Sequence, residues 1–285
     1  IVTRLWAWGC SANSLIANNL ARKPKSLWSE KTGGALIINY RADDERDEAA
    51  WIVDRIVTQQ QSGGRWGDVA VFYRTNAQSR AVEEELARRN VPYKVIGGTR
   101  FYDRREVKDL LAYLRAVVNP EDEVSMKRIL NVPKRGIGDT SVGKLDGYAA
   151  SHGLPFHRAL EEADRAGVTG KANGGIHELL VSLAYLRALA KEVGAPSTVL
   201  QAVIDRTGYV RQLEAEHSIE SAGRVENIQE LLGSAEQYET LEQFLEAVAL
   251  VSDSDEIDPD ESVVVLMTLH TAKGLEFPIV FLAGL

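Results

Sequence analysis

The 285-residue chain contains a single cysteine, Cys10, so it can form no internal disulfide and no multi-cysteine metal site. Its other candidate metal ligands, His152, His157, His177 and His217, show no ligand-like spacing with cysteine or with one another, and no metal site is expected. Long apolar runs are also missing. Stretches such as Val263 to Met267 fall far short of the roughly 20 residues that cross a bilayer, so no membrane association is expected. The first residues lack the ordered basic, apolar and small-residue zones of a signal peptide, which together with the lone cysteine points to a cytoplasmic location. Basic residues are in deficit, 33 Lys and Arg against 41 Asp and Glu, for a net charge of −8 and a pI near 5.3. Taken alone, that balance argues against a nucleic-acid ligand. The hydrophobic fraction of 45% and charged fraction of 26% exclude disordered and fibrous classes and suit one large core or two smaller ones.

The negative charge is unevenly placed. Residues 1–30 stand at +3, residues 31–101 and 102–150 at +1 each, and residues 151–262 carry 8 basic against 21 acidic residues, a local −13. This acidity ends in Ser252-Asp-Ser-Asp-Glu-Ile-Asp-Pro-Asp-Glu-Ser262, with six acids, one proline and one aliphatic side chain, the composition of a solvated linker. The acidic helices and linker read as solvated faces.

Hydrophobic periodicity separates two textures. Ala35–Tyr40, Asp68–Tyr73 and Pro92–Ile96 are short β-rich runs, and between them Asp43–Gln60 and Asn76–Arg89 have helical spacing. This β-α-β-α-β order predicts a parallel sheet flanked by helices. From Arg104 to about Val251 only helical spacing is found, with stripes at Leu110, Leu111, Leu114 and Val118, at Leu179, Leu180, Leu183, Leu186 and Leu189, and at Ile228, Leu231 and Leu232. Val263–Thr268 and Pro278–Leu282 then read as buried strands joined by a polar turn. The fold class is therefore α/β, a parallel sheet interrupted by a large all-helical insertion. The expected domains are an N-terminal segment 1–30, the α/β domain over 31–101, the helical insertion with its acidic linker over 102–262, and the α/β domain resumed over 263–285.

Three motifs carry chemistry. Tyr73-Arg-Thr-Asn-Ala-Gln-Ser-Arg80 leaves the C-terminal end of a predicted strand, where open α/β sheets bind ligands. Asn76 can cap the following helix, and Arg74 and Arg80 add positive charge for an anion; the alternative is an ordinary cap with two solvated arginines. Val132-Pro-Lys-Arg-Gly-Ile-Gly-Asp-Thr-Ser-Val-Gly-Lys-Leu145 resembles a P-loop, but Leu145 stands where Ser or Thr must hold Mg²⁺, and no strand precedes it. It reads instead as a tight Gly136-Ile-Gly138 turn that aims N–H groups at a backbone phosphate, with Lys134 and Arg135 beside it, or as a plain helix-helix turn capped by Asp139 or Thr140. The turn between the last two strands concentrates Thr268, His270, Thr271, Lys273 and Glu276, a set suited to phosphate and ribose contacts.

Thr268-Leu-His-Thr-Ala-Lys-Gly-Leu-Glu-Phe277 closely resembles motif V of the UvrD/PcrA/Rep helicases of superfamily 1. Val71-Phe-Tyr-Arg-Thr-Asn-Ala-Gln-Ser-Arg80, Gly97-Gly-Thr-Arg-Phe-Tyr-Asp-Arg-Arg-Glu106 and Asn131-Val-Pro-Lys-Arg-Gly-Ile-Gly138 are similar to the second motor domain and inserted helical domain of that family, nearest its PcrA branch. The resemblance runs from about Asn13 to the end. It implies a RecA-like second motor domain in an ATP-driven 3′ to 5′ DNA translocase and helicase, with ATP and Mg²⁺ as cofactors. The implied partners are single-stranded DNA, duplex DNA and a first motor domain, and the implied setting is the nucleoid. Carried over by position, Arg74 and Asn76 contact the single strand, and Thr268, His270 and Lys273 couple that strand to the nucleotide. Gly274 and Glu276 lie at ATP, and Lys134, Arg135, Gly136, Gly138 and Thr140 hold duplex backbone.

The sequence also departs from the family. It has no Walker A loop, no acidic Mg²⁺-binding motif and no motif VI with its arginine finger, and Ile1–Cys10 does not match the Asn-Tyr-Arg-Ser motif expected ahead of Asn13-Ser-Leu-Ile-Ala-Asn-Asn19. Arg4 is accordingly given no γ-phosphate role. The chain is expected to be a helicase piece truncated at both ends with an altered N-terminus; the alternative is a non-catalytic DNA-binding or protein-docking module. Without groups to orient water and stabilise the transferring phosphoryl, the isolated chain is expected to show no DNA-stimulated ATP hydrolysis above background. Measurable turnover in a phosphate-release assay would contradict this.

Overall fold

The computed structural model describes residues 37–252 and 262–284. The expected N-terminal segment 1–30, the helix near Asn13 and nearly all of the acidic linker lie outside these residues. The described residues divide into two compact units, one of residues 37–101 with 262–284, the other of residues 102–252.

The first unit is built on a four-stranded sheet of β1 (Val69–Tyr73), β2 (Tyr93–Ile96), β3 (Val264–Thr268) and β4 (Ile279–Leu282), in the order β2-β3-β1-β4. Every pairing is parallel, with Tyr73 opposite Thr268, Ile96 opposite Met267 and Phe72 opposite Leu282. The central strands β1 and β3 are apolar and buried at nearly every position, as in a sheet covered on both faces, whereas the outer β2 carries the exposed Lys94. Helices α1 (Glu45–Gln61) and α2 (Ser79–Arg88) supply the cover for one face, where Ile52, Val53, Ile56, Val82 and Leu86 meet Val69, Val71, Val264, Leu266 and Phe281. α1 starts where the Asp44 carboxylate accepts from the N–H groups of Arg46 and Asp47 at 2.9 and 2.8 Å. On the other face the alternate residues Ala70, Val265 and Met267 are packed by Phe72, Ile96, Ala272 and Phe277. Among the described residues that face is therefore covered by the segment following β3 rather than by a helix.

The expected strand at 35–40 is not formed over its described part. Residues 37–40 are irregular, with Ile38 44% and Tyr40 40% exposed. The Tyr40 ring stacks on Trp51 of α1 at 4.7 Å, and its hydroxyl donates to Asp47 at 2.8 Å. These contacts engage the segment with the helix, whereas a strand requires a sheet edge as its partner.

The second unit contains α3 (Arg105–Val118), α4 (Glu123–Ile129), α5 (Asp139–His152), α6 (Phe156–Glu161), α7 (Gly170–Val193), α8 (Pro196–Thr207), α9 (Tyr209–Glu214), α10 (Ile219–Ala235) and α11 (Leu241–Ser252). α3 is its hub, packing against α4, α7, α8, α10 and α11. Leu110, Leu111 and Leu114 are buried as their spacing predicts, whereas Val118, at the last turn, is 40% exposed. The central helix also buries polar groups in pairs. Asp109 accepts from Arg128 Nε at 2.8 Å and from the Tyr209 hydroxyl at 2.7 Å. Asn227 accepts from Arg104 and donates to Glu106 at 2.8 and 2.6 Å. Burial, reinforced by the Asp109 carboxylate, pushes the Tyr209 phenol well above its ordinary pKa, so it acts as a permanent donor.

Candidate functional site

Parallel pairing sends the chain out of every strand at the same edge of the sheet. The ladder continues past the strands themselves, since Leu269 N–H donates to Tyr73 O and Ala283 N–H to Phe72 O, both at 2.9 Å. Residues 74–78, 97–98, 269–274 and 283–284 thus emerge from the C-terminal edge, and the loops after β1 and β3 leave neighbouring strands.

In the β1 loop, Arg74 and Asn76 are exposed. Among the described residues no ion pair engages Arg74. Asn76 opens a short 3₁₀ turn, Asn76–Gln78, whose N-cap is Thr75, and the Gln78 side-chain oxygen reaches back to accept from the N–H groups of Arg74 and Thr75 at 2.9 and 3.0 Å. Gln78 lies inside the turn and can reach back, while Asn76 is carried outward and gives its backbone carbonyl to the Ser79 hydroxyl at 2.9 Å. Arg80 is neither a phosphate ligand nor solvated. It is 1% exposed and is neutralised by Glu84 at 2.9 Å and Glu45 at 3.5 Å.

The β3 loop is a compact turn. Thr268 Oγ1 accepts from Thr271 N–H at 3.3 Å and lies 3.0 Å from the Thr271 hydroxyl, and Ala272 N–H donates to Thr268 O at 3.0 Å. Thr268 is half-buried and holds the turn from within, while His270, Lys273, Gly274 and Glu276 are exposed on it. Ala272 and Phe277 anchor the segment to the sheet, with Phe277 edge-on to Phe72 at 6.0 Å. The structure brings Arg74, Asn76, Thr268, His270, Lys273 and Gly274 to two loops at one sheet edge, whereas Glu276 lies on the segment that returns toward the start of β4 at Ile279.

The remaining candidates lie in the helical unit, on the turn between α4 and α5. Lys134, Gly136, Gly138 and Thr140 are exposed, and Gly138 itself is the N-cap, so neither Asp139 nor Thr140 caps α5. Arg135 departs from expectation. Its Nη1 donates to the carbonyls of Ile129 and Val132, both at 3.0 Å, and its Nη2 donates to the Tyr113 hydroxyl at 2.5 Å. The guanidinium is thereby engaged by carbonyls at and just beyond the end of α4 and by Tyr113. Burial raises the Tyr113 pKa, and the protonated phenol passes the chain of bonds on to Val132 O. Asn131 completes the turn by accepting from the N–H groups of Arg135 and Ile137.

A further cation lies against the same turn. Gly136 turns with φ of +78°, and a Cβ there would lie 2.9 Å from Cγ and Cδ of Lys171. The stem of Lys171, from the first turn of α7, therefore lies against the turn, and among the described residues neither Lys134 nor Lys171 is in an ion pair. Gly175, one turn further along α7, approaches the Arg135 carbonyl so closely that a Cβ would meet its oxygen at 2.5 Å. Sequence reasoning missed Gln78, Lys171 and Gly175. Gln78 stood in a quoted motif, but the other two are separated from their partners by more than thirty residues and carry no local signal.

Residues 10–285 match the model of the UvrD-like helicase C-terminal domain. The chain belongs to this family. That domain is the RecA-like second motor domain, in agreement with the fold class expected from the sequence. Across 96% of its length the chain is 43% identical to the ATP-dependent DNA helicase PcrA of Bacillus subtilis and to that of Staphylococcus aureus strain Mu50. It spans 39% and 38% of those relatives, about two-fifths of their length.

Within this UvrD-like chain, the close approach of α7 to the 134–138 turn is testable by stability. Gly175→Ala is expected to destabilise the helical unit by about 2 kcal/mol, because backbone and not a flexible side chain blocks the new methyl. Gly174→Ala, with nothing within 4 Å, is expected to stabilise it by roughly 0.5–1 kcal/mol through helix propensity. Urea unfolding followed by circular dichroism distinguishes the two; equal shifts would refute the close approach.

Proposed function

We propose that this chain is the strand-gripping and duplex-holding part of an ATP-driven 3′ to 5′ DNA helicase. The observation that carries the reading is the β1–β3 register, which sets the Arg74–Asn76 loop beside the Thr268–Gly274 turn at the C-terminal edge of a parallel sheet. That edge is the ligand-binding edge of open α/β sheets. The names of the relatives supply ATP and DNA as the substrates to which these groups are matched.

In this reading Arg74 donates to phosphate oxygens of the single strand, and Asn76 reads the adjoining sugar or phosphate. His270 and Lys273 contact the same strand from the neighbouring loop. Thr268 holds both of them in place from the inner side of the turn and links the strand contact to the nucleotide edge. Glu276 meets ATP at its sugar, a carboxylate being a natural acceptor for ribose hydroxyls, and Gly274 lies at ATP beside it. ATP supplies the driving reaction when bound in the complete motor. In this reading the Mg²⁺ ligands belong mostly to the rest of the motor. In the helical unit, Lys134, Lys171, Thr140 and the Gly136–Gly138 turn grip duplex phosphates without reading bases. Arg135 sustains that turn from inside.

The chain is expected to bind a thymidine oligonucleotide at low salt, and Arg74→Ala or His270→Ala to weaken this binding roughly five- to tenfold each, about 1–1.4 kcal/mol. Unchanged affinity by fluorescence anisotropy would remove these residues from the strand contact. With duplex DNA, Lys134→Ala and Lys171→Ala are each expected to lower the slope of log affinity against log salt by about 1, and Arg135→Ala to lower the unfolding midpoint instead. If neither form of DNA binds, the protein-docking alternative is favoured.

A further inference from the structure

β2 ends at Ile96, and the next residue, Gly97, has φ of +75°. A Cβ at this position would lie 2.8 Å from both Cγ2 and Oγ1 of Thr271. Thr271 thus lies close enough to Gly97 to leave no room for a side chain there, since ordinary carbon contacts begin near 3.5 Å. On its other side the same residue is tied to the end of β3, its N–H donating to Thr268 Oγ1 and its hydroxyl 3.0 Å from that of Thr268. Thr271 therefore spans the ends of two adjacent strands. Moving Thr271 as a whole away from β2 would stretch its bonds to Thr268. Ala272 and Lys273, whose N–H groups donate to Thr268 O and His270 O, must move with it.

We propose that Gly97 is a positioning residue for single-strand binding. Its missing side chain is the seat that fixes Thr271, and through Thr271 the turn that carries His270 and Lys273. The inference rests on the strand-gripping role proposed above and adds to it a residue outside both loops, selected by space as well as by backbone angle. Its neighbour provides the internal comparison: a Cβ on Gly98 would meet Asn76 Oδ1 at 3.6 Å and Val95 Cγ1 at 3.7 Å, ordinary contact distances.

The test uses the full 285-residue chain and thymidine-oligonucleotide binding by fluorescence anisotropy. Gly97→Ala is expected to weaken binding roughly tenfold, and Gly98→Ala to leave it within about twofold. Thr271→Ala removes both obstructing atoms, so adding it to Gly97→Ala is expected to leave the double variant no weaker than Thr271→Ala alone. Backbone strain from the substitution at 97 is the same with either residue at 271, so only the steric seat gives this recovery. Losses that multiply, or a Gly97→Ala variant with native affinity, would overturn the proposal. If the unsubstituted chain binds no oligonucleotide, the strand-gripping role itself fails. The seat is then decided by hydrogen exchange: the Ala272 and Lys273 amides are expected to exchange faster in Gly97→Ala than in Gly98→Ala, and equal rates would overturn it.

Discussion

The parallel pairing of β1 with β3 is the interaction on which the candidate site depends. The two strands lie on either side of the helical unit in sequence, yet Ala70 to Tyr73 run in register with Val265 to Thr268. A shift of one residue would turn Val264 and Leu266 away from α1 and α2 and bring Val265 and Met267 to the wrong face. The buried side chains thus set the register, and the register sets where each loop leaves the sheet. The long intervening insertion costs this arrangement little, because loop-closure entropy grows only with the logarithm of length, about 0.6 kcal/mol for each doubling.

Within that frame the contacts that define the loops are short and local, and several depend on side chains that are absent. Gly97 makes room for Thr271, Gly136 for Lys171, and Gly175 for the Arg135 carbonyl. Around these close approaches, side-chain amides satisfy backbone N–H groups: Gln78 at the end of β1 and Asn131 at the end of α4 each accept from two. Both units use the same means, an amide oxygen inside a tight turn that leaves charged residues on its outer side.

The net charge of −8 describes this molecule poorly, because cations differ in what they can do. Arg80 and Arg135 are committed to internal partners, the first to Glu84 and Glu45, the second to helix-end carbonyls and Tyr113. Arg74, Lys134, Lys171 and Lys273 are exposed and outside any ion pair among the described residues. In sequence the two groups look alike, since an arginine after a strand or before a glycine turn has the same composition whether its guanidinium points inward or outward.

The α/β class, the parallel sheet and the helical texture of the insertion were legible in the chain because period-2 and period-3.6 patterns are set by neighbouring residues. The motifs at Arg74, Lys134 and Thr268 were legible for the same reason, as contiguous runs. Over residues 37–40 the expected strand is not formed, because a strand needs a partner edge that its own residues do not supply, and Tyr40 is engaged by Trp51 instead. Tertiary structure alone decided that Gln78 reaches back to brace the β1 loop, that Arg135 turns inward to carbonyls and Tyr113 while Lys171 lies against the 134–138 turn, and that Gly97 leaves room for Thr271. Secondary structure follows from local spacing, whereas the availability of a charge and the need for an empty Cβ position depend on atoms that only the folded chain brings within 3–4 Å.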